Sequence, residues 1–267
     1  DSDPSEAGIP CPPGVTTGCN QGFGHGTHVA GLIALAAPNA KIVPYRVLDP
    51  DGVGNVWVLA EALQKAIDPD GNPATDDGAH VINMSLGSLG RTHLFKSVAL
   101  LVSCTAGDPG DPLTDFTDPG YNADKQRCAS SRGAVVTIAA GNDASNSLRE
   151  YPAAESAYGT VSVASSSADH HVSPFSNFGN WIDIAAPGDG LTSSIPGGYA
   201  VWSGTSMAAP LVAGVAALVR AANPAMASRD LARHLPLTGS PLCGTRLVQL
   251  DALAALTLAT PVAPACP

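Results

Sequence analysis

Basic residues are scarce in this 267-residue chain, which has 13 Lys and Arg against 23 Asp and Glu and a net charge of −10. Binding of nucleic acid or of an anionic membrane surface needs a basic patch, so we expect neither partner. The apolar runs are interrupted short of a membrane span, and no basic and apolar targeting segment stands at the start. We therefore expect a soluble chain from which any targeting segment has been removed.

The six cysteines lack the CxxC spacing that is typical of zinc and redox motifs. They fall into three pairs that are local in sequence: Cys11 with Cys19, Cys104 with Cys128, and Cys243 with Cys266. An even number of locally paired cysteines fits disulfide bridges better than metal ligation, and reduced thiols are the alternative. We predict these three bridges and a secreted, extracellular protein.

Acidic residues are absent between Gly22 and Leu48, and this absence decides how two histidines in that stretch are interpreted. His25 and His28 are three residues apart. A zinc-protease helix carries histidines at i and i+4, with a glutamate beside the first. The sequence therefore predicts no metal at these histidines.

Two loops are, by contrast, rich in acids. One is an insert between Cys104 and Cys128, and the other covers residues 68–77. Their acids are Asp108, Asp111, Asp115, Asp118 and Asp124 in the insert, and Asp68, Asp70, Asp76 and Asp77 in the second loop. Calcium prefers such oxygen-rich loops, but neither has the EF-hand spacing, so a structural calcium ion and a solvated acidic loop both stay open.

The order of the apolar segments predicts the fold class. With 45% hydrophobic residues, the chain can bury a sizeable core, and we expect residues 1–267 to form one α/β domain. Short apolar runs alternate with segments of helical spacing, as expected for a parallel sheet with crossover helices. The predicted strands are Lys41–Leu48, Ala79–Gly87, 134–142, Tyr158–Ser165 and Trp181–Ala185, and the predicted helices are 28–36, Val56–Ile67, 92–102, a buried helix through residues 211–219, a short helix after Arg229 and an amphipathic segment at 250–258.

Ser206 precedes the most apolar stretch of the chain, Leu211–Val219. A run without a polar stripe predicts a helix that is buried on all sides, with Ser206 in its first turn. The unpaired N–H groups there favour negative charge beside a nucleophilic hydroxyl. A serine that merely caps the helix is the alternative.

Three motifs occur in a fixed order: GHGTHVAG at residues 24–31, AAGN at 139–142 and GTSMAAP at 204–210. Together they resemble the histidine, oxyanion-asparagine and serine motifs of the subtilisin-like serine proteases. Further similarity at residues 81–87, 151–153 and 184–188 extends the resemblance from His25 to about Asp251. It implies a three-layer sandwich, with a mostly parallel central sheet and helices on both faces, and serine endopeptidase activity.

The resemblance also implies roles for individual residues. Ser206 is the nucleophile, His25 is the general base and then the general acid, and Asn142 donates to the oxyanion beside the Ser206 N–H. These residue types suit the chemistry, because a serine hydroxyl is a weak nucleophile that needs a neutral base and preset oxyanion donors. No metal or organic cofactor is required.

The acid of the triad lies, in this family, in an Asp-Ser/Thr-Gly setting at the end of an early strand. Asp1-Ser2 fits the first two positions, whereas Asp3 precedes Pro4 and lacks the hydroxyl neighbour. We predict Asp1 as the acid, with Asp3 as the alternative. We also expect the first strand of the domain, and a prosegment, to belong to upstream residues.

The substrate, by resemblance, is a protein or peptide that lies extended between two backbone edges. Their counterparts are Gly52 and Gly54 on one side and Ser85, Leu86 and Gly87 on the other, where glycine allows close approach of another backbone. Asp143 would lie at the rim of the pocket for the residue preceding the cut, where it would favour basic side chains; a solvated carboxylate is the alternative. We expect a monomer.

Two other functions compete with this interpretation. An esterase or lipase of the α/β-hydrolase class needs its acid and histidine after the serine, where only Asp230 and His234 are available, close together. The second is a protease-like binding domain without activity, against which the presence of His25, Asn142 and Ser206 argues.

Overall fold

The computed structural model describes residues 22–49, 51–105, 128, 131–155, 157–261, 263, 264 and 266. Its helices are α1 (His25–Ala36), α2 (Val56–Ile67), α3 (His93–Val102), α4 (Thr205–Ala222), α5 (Ser228–Leu237) and α6 (Ala252–Thr257), with a short 3₁₀ helix at Ala153–Glu155. Its strands are β1 (Val81–Met84), β2 (Val135–Ala139), β3 (Thr160–Ser166), β4 (Ile184–Pro187), β5 (Leu191–Ile195), β6 (Gly198–Trp202), β7 (Ser240–Pro241) and β8 (Val248–Gln249).

Six of these strands form one mostly parallel sheet in the order β1-β2-β3-β4-β8-β7. Within this sheet β1, β2, β3, β4 and β8 are parallel to one another, and β7 at the edge pairs antiparallel with β8. The carboxyl ends of β1 and β2 therefore open at the same edge of the sheet, where α/β proteins bind their ligands. β5 and β6 form a separate antiparallel hairpin.

Helices cover both faces of the sheet. The side chains of β2 show this, because they point alternately into a core on one face and a core on the other. Val136 and Ile138 pack in a core cluster with residues of α2 and α3. Val135 and Ala139 face the opposite cluster, which contains residues of α4, α5 and α6. Because successive side chains of a strand point to opposite faces, one buried strand joins the two cores. The predicted three-layer α/β sandwich is confirmed.

The central helix α4 is longer and more apolar than we expected from the sequence. By length and composition, Thr205–Ala222 could cross a membrane, so the expectation that every apolar run stops short of a span was wrong. In the protein, however, 67% of this window is buried. The helix packs against α1 and against strands β1 to β4, which accounts for its apolar character without a membrane.

The predicted helix at Val56–Ile67 is confirmed, and α3 begins at His93, one residue after the predicted start. α1 begins at His25, earlier than predicted. The predicted strand at Lys41–Leu48 was wrong: in this stretch only Leu48 pairs, in an isolated antiparallel bridge to Gly54. A strand needs a hydrogen-bonded neighbour, and residues 41–46 are exposed, with no strand beside them among the described residues.

Two predicted disulfides are confirmed, Cys104–Cys128 and Cys243–Cys266. The third predicted pair, Cys11 and Cys19, lies outside the described residues, as do the acids of the insert at 106–127.

Candidate active site

Ser206 is the second residue of α4 and is partly buried. The N-cap residue is Gly204, which has no side chain, so the interpretation of Ser206 as the cap was wrong. The Ser206 hydroxyl donates to the carbonyl of Ser85 at 3.4 Å, and the Ser85 hydroxyl donates to the Ser206 carbonyl at 2.8 Å. The first turn of α4 is therefore fastened to the segment that follows β1.

Asn142 follows β2 and fills the capping role at α4. Its Oδ1 accepts hydrogen bonds from the backbone N–H of Thr205 at 2.8 Å and from the Thr205 hydroxyl at 3.1 Å. Among the described residues, neither Asn142 Nδ2 nor the Ser206 N–H has a hydrogen-bond partner. Anchoring the amide through its oxygen leaves Nδ2 available as a donor at the N-terminus of α4, in addition to the Ser206 N–H.

Thr205 fixes this arrangement, although the sequence analysis assigned it no role. Besides donating to Asn142, its Oγ1 accepts a hydrogen bond from the Gly141 N–H at 3.0 Å, and the residue is fully buried. The loop after β2 is therefore joined to α4 by both side chains. The position of Thr205 directly before Ser206 was the only indication in the sequence that this residue belongs to the site.

His25 is the first residue of α1, a helix that packs along α4. Val29 and Leu32 of α1 form a small apolar cluster with Met207, the neighbour of Ser206. This packing brings the first turns of the two helices together. No hydrogen bond joins His25 to Ser206 in the described part of the chain, because the hydroxyl donates to Ser85 instead.

Burial lowers the pKa of His25 below its ordinary value of 6.5, and the neighbouring His28 lowers this pKa further. The imidazole is therefore neutral at neutral pH, as a general base must be. Trp202 stacks on His28 at a ring-centroid distance of 4.7 Å and lies 6.4 Å from His25. His28 is fully buried, and its Nε2 contacts the Ala200 carbonyl at 3.2 Å, so it is a core residue.

The two predicted substrate edges differ in their relation to Ser206. Ser85, Leu86 and Gly87 follow β1, and Ser85 is bonded to Ser206. Gly52 lies in an exposed turn at φ 79°, and Gly54 pairs with Leu48 in a small hairpin. No hydrogen bond connects this hairpin to Ser206 or Asn142 among the described residues. The substrate-binding roles of these residues stay predictions.

Glu150 is an acidic residue of the site that the sequence analysis did not single out. Burial, followed by its hydrogen bond and repulsion with Asp143, raises the pKa of Glu150 from 4.5 to about 7, and the backbone N–H of Asn142 partly opposes this rise. Asn177 holds Asp143 in place: its Oδ1 accepts from the Asp143 N–H at 3.1 Å and its Nδ2 donates to Asp143 Oδ2 at 3.3 Å. An acidic pair thus lies directly beside Asn142.

Asp1 and Asp3 are outside the described residues, so the identity of the triad acid stays a prediction. Carboxylate oxygens of Asp68, Asp70 and Asp77 lie within 4.8 Å of one another, and the buried Oδ1 of Asp68 has no hydrogen-bond partner in the part of the chain that the structure describes. These oxygens suit a hard cation such as calcium, although binding there also stays a prediction.

The α/β-hydrolase alternative finds no support in the position of its histidine. His234 lies on α5, and its Nε2 is 2.7 Å from the carbonyl of Ala255. Ser206 exchanges hydrogen bonds with Ser85, and its neighbour Thr205 is hydrogen-bonded to Asn142.

Comparisons with known proteins agree with this geometry. The profile of the subtilase family, Peptidase_S8, matches residues 17–248. The chain belongs to the subtilase family. It is 35% identical over 236 residues to subtilisin BL of Lederbergia lenta, covering 85% of this chain and 74% of that protein. It is 34% identical over 256 residues to an extracellular protease of Xanthomonas campestris, covering 85% and 39% respectively.

The solved structures give the same result. A protease from Pseudoalteromonas arctica matches this subtilase with a TM-score of 0.70 and 32% identity, covering 96% of this chain and 76% of that one. The chain spans about half the length of other curated relatives, 52% for the alkaline proteases of Alkalihalobacillus alcalophilus and Shouchella clausii.

Proposed function

We propose that this chain is the catalytic domain of a secreted serine endopeptidase that cleaves peptide bonds through an acyl-enzyme. The observation that carries the proposal is a pair of donors, Asn142 Nδ2 and the Ser206 N–H, that have no hydrogen-bond partner among the described residues and lie at the helix N-terminus that carries the Ser206 hydroxyl. Hydrogen-bond donors fixed in advance where negative charge develops are usually the largest single contribution to such catalysis. Two observations support secretion. One relative is named an extracellular protease, and this chain contains two disulfides, which are typical of secreted proteins.

The reaction begins when the Ser206 hydroxyl attacks the carbonyl carbon of the scissile bond and gives its proton to His25. The carbonyl oxygen becomes negative and accepts hydrogen bonds from Asn142 Nδ2 and the Ser206 N–H. When the intermediate collapses, the C–N bond breaks and His25 returns the proton to the leaving amine. A water molecule, activated by His25 in the same way, then releases the acyl group from Ser206.

Labelling with a fluorophosphonate probe tests the nucleophile. We expect the probe to react with Ser206 in the folded protein, and Ser206→Ala to abolish both labelling and peptide cleavage while the fold is retained. Ser203→Ala is the matched control, because Ser203 precedes the same helix but its hydroxyl donates to Asp189 at 2.7 Å. Cleavage by Ser206→Ala, with contamination excluded, would contradict the proposal.

The triad acid is tested in the natural full-length chain by comparing Asp1→Asn with Asp3→Asn. If Asp1 orients His25, its amide variant loses about 10⁴-fold in kcat, the magnitude known for a trypsin-type triad, while Asp3→Asn loses little. The opposite ranking would assign the role to Asp3, and two nearly normal variants would exclude both.

A further inference from the structure

The carboxylate of Glu150 lies between the two backbone segments that follow β1 and β2. A side-chain carbon at Gly87 would run into Oε2 of Glu150, and one at Gly141 would run into Oε1. Ser88 and Tyr151 exchange both backbone hydrogen bonds, at 2.9 and 2.8 Å, which fixes the chain on either side. The position of Glu150 therefore depends on backbone pairing and on the two glycines.

The same two segments flank the nucleophile. The Ser85 hydroxyl donates a hydrogen bond to the Ser206 carbonyl at 2.8 Å, and Asn142 Oδ1 accepts one from the Thr205 N–H at 2.8 Å. A peptide carbonyl attacked by Ser206, with its oxygen at Asn142, is attached to the Cα of the residue preceding the cut. The side chain of that residue therefore begins only a few covalent bonds from the carbon that Ser206 attacks. It extends between the two segments that hold Glu150.

No basic residue of the described chain neutralises this acidic pair. Two arginines close to this pair have other partners: Arg149, next to Glu150 in the chain, lies over the ring of Trp181 at 5.9 Å, and Arg91, which lies over the ring of Tyr151, pairs with Glu155 at 3.1 Å. Neither Glu150 nor Asp143 has an ion pair among the described residues. Two carboxylates without a countercharge are unfavourable in a partly buried site, and a cation placed there would stabilise both.

We propose that Glu150, assisted by Asp143, selects lysine or arginine as the residue that precedes the scissile bond. This inference rests on the proposed function and adds a substrate class to it. A long aliphatic stem with a terminal charge suits the site, because the stem crosses the gap between the segments and its head reaches the carboxylates. An acidic side chain at the same position is repelled.

Matched peptides test the selection. We compare kcat/KM for two otherwise identical substrates with lysine or norleucine before the cut, since norleucine keeps all four carbons of the lysine stem and lacks only the charged ammonium group. We expect lysine to be preferred at least about 10-fold, and Glu150→Gln to lower the lysine value about 10- to 100-fold while leaving norleucine nearly unchanged. Glu61→Gln is the control, because Glu61 is an exposed residue of α2 and the change in charge is the same.

Three results would overturn the inference: no preference for lysine in the parent protein, the same loss with Glu61→Gln, or an equal loss on both substrates in Glu150→Gln. The last would make Glu150 a positioning residue for the loop of Asn142.

Binding separates this inference from the proposed function. In the Ser206→Ala variant, calorimetry with the same two peptides measures affinity without cleavage, and we expect the lysine peptide to bind at least about 10-fold more tightly. Equal affinities overturn the selection even if Ser206 is labelled in the parent. If Ser206 is not labelled and no peptide is cut, the proposed enzyme function fails, and the two affinities still decide whether the site takes a basic side chain.

Discussion

Replacing Glu150 with glutamine should change how the stability of the protein depends on pH. Glutamine resembles the protonated form of the acid: its carbonyl accepts from the Asn142 N–H and its amide donates to Asp143. The parent side chain has a pKa raised from 4.5 to about 7, so the folded state favours the protonated form. The stability that this proton provides is fully present below pH 4.5 and is lost as the pH rises through about 7.

The size of the effect follows from the same pKa values. One pKa unit corresponds to about 1.4 kcal/mol, so the complete rise would correspond to about 3 kcal/mol. Because Glu150 is only partly buried, solvent screening reduces this value, and we expect about 1 to 2 kcal/mol. Glu150→Gln should therefore match the parent at pH 4.5 and exceed its free energy of unfolding by that amount at pH 8.

The assay is urea unfolding between pH 4.5 and 8, with every variant made in the Ser206→Ala background to prevent self-digestion. Glu61→Gln, which removes the same charge at an exposed position of α2, serves as the control, and a gain of the same size in that variant would contradict the role of Glu150. A constant difference between Glu150→Gln and the parent across this range would refute the reasoning, because it would mean that the carboxylate titrates alike in the folded and unfolded chains.

Three other substitutions test the site and the core. Asn142→Leu should lower kcat by about 10² to 10³ with little change in KM, a magnitude carried over from the corresponding donor of a subtilisin, and a variant that mainly raises KM would contradict the oxyanion role. Gly214→Val should destabilise the protein by about 1 to 3 kcal/mol and slow fluorophosphonate labelling, because the new side chain runs into Ala36 of α1; unchanged labelling and stability would contradict this. Leu231→Ala, at a fully buried position, should cost about 2 to 5 kcal/mol in urea unfolding, whereas Leu237→Ala, at an 80% exposed position, should cost little.

Local signals explain which elements the sequence predicted well. Val56–Ile67 combines helical apolar spacing with Asn55, whose side chain accepts from the Trp57 N–H at 2.8 Å, so the start of α2 is marked in the sequence. The start of α1 was predicted late because Gly24 adopts φ 79°, which a pattern of apolar residues does not reveal. The β5–β6 hairpin was missed, although Pro196-Gly197 between its strands is a typical turn signal.

Residues whose role depends on tertiary contacts could not be predicted in the same way. Lys41–Leu48 has the composition of a strand, but composition does not show whether a neighbouring strand is present. The motifs made Asn142 and Ser206 candidates, since both belong to short segments with a recognisable order. Glu150 has no such signal, because only the pairing of Ser88 with Tyr151 brings its carboxylate to the loops beside Ser206.

The resting position of the Ser206 hydroxyl shows what its remaining partners must supply. Its single proton is donated to the Ser85 carbonyl at 3.4 Å, a long and weak hydrogen bond. A hydroxyl that donates to Ser85 cannot donate to His25 in the same orientation, so the proposed proton transfer requires rotation toward the imidazole. Burial already keeps His25 neutral and able to accept this proton. A carboxylate beside His25 would therefore contribute by fixing the orientation of the ring and by stabilising the imidazolium that forms, and it would not be needed to keep the base unprotonated at rest.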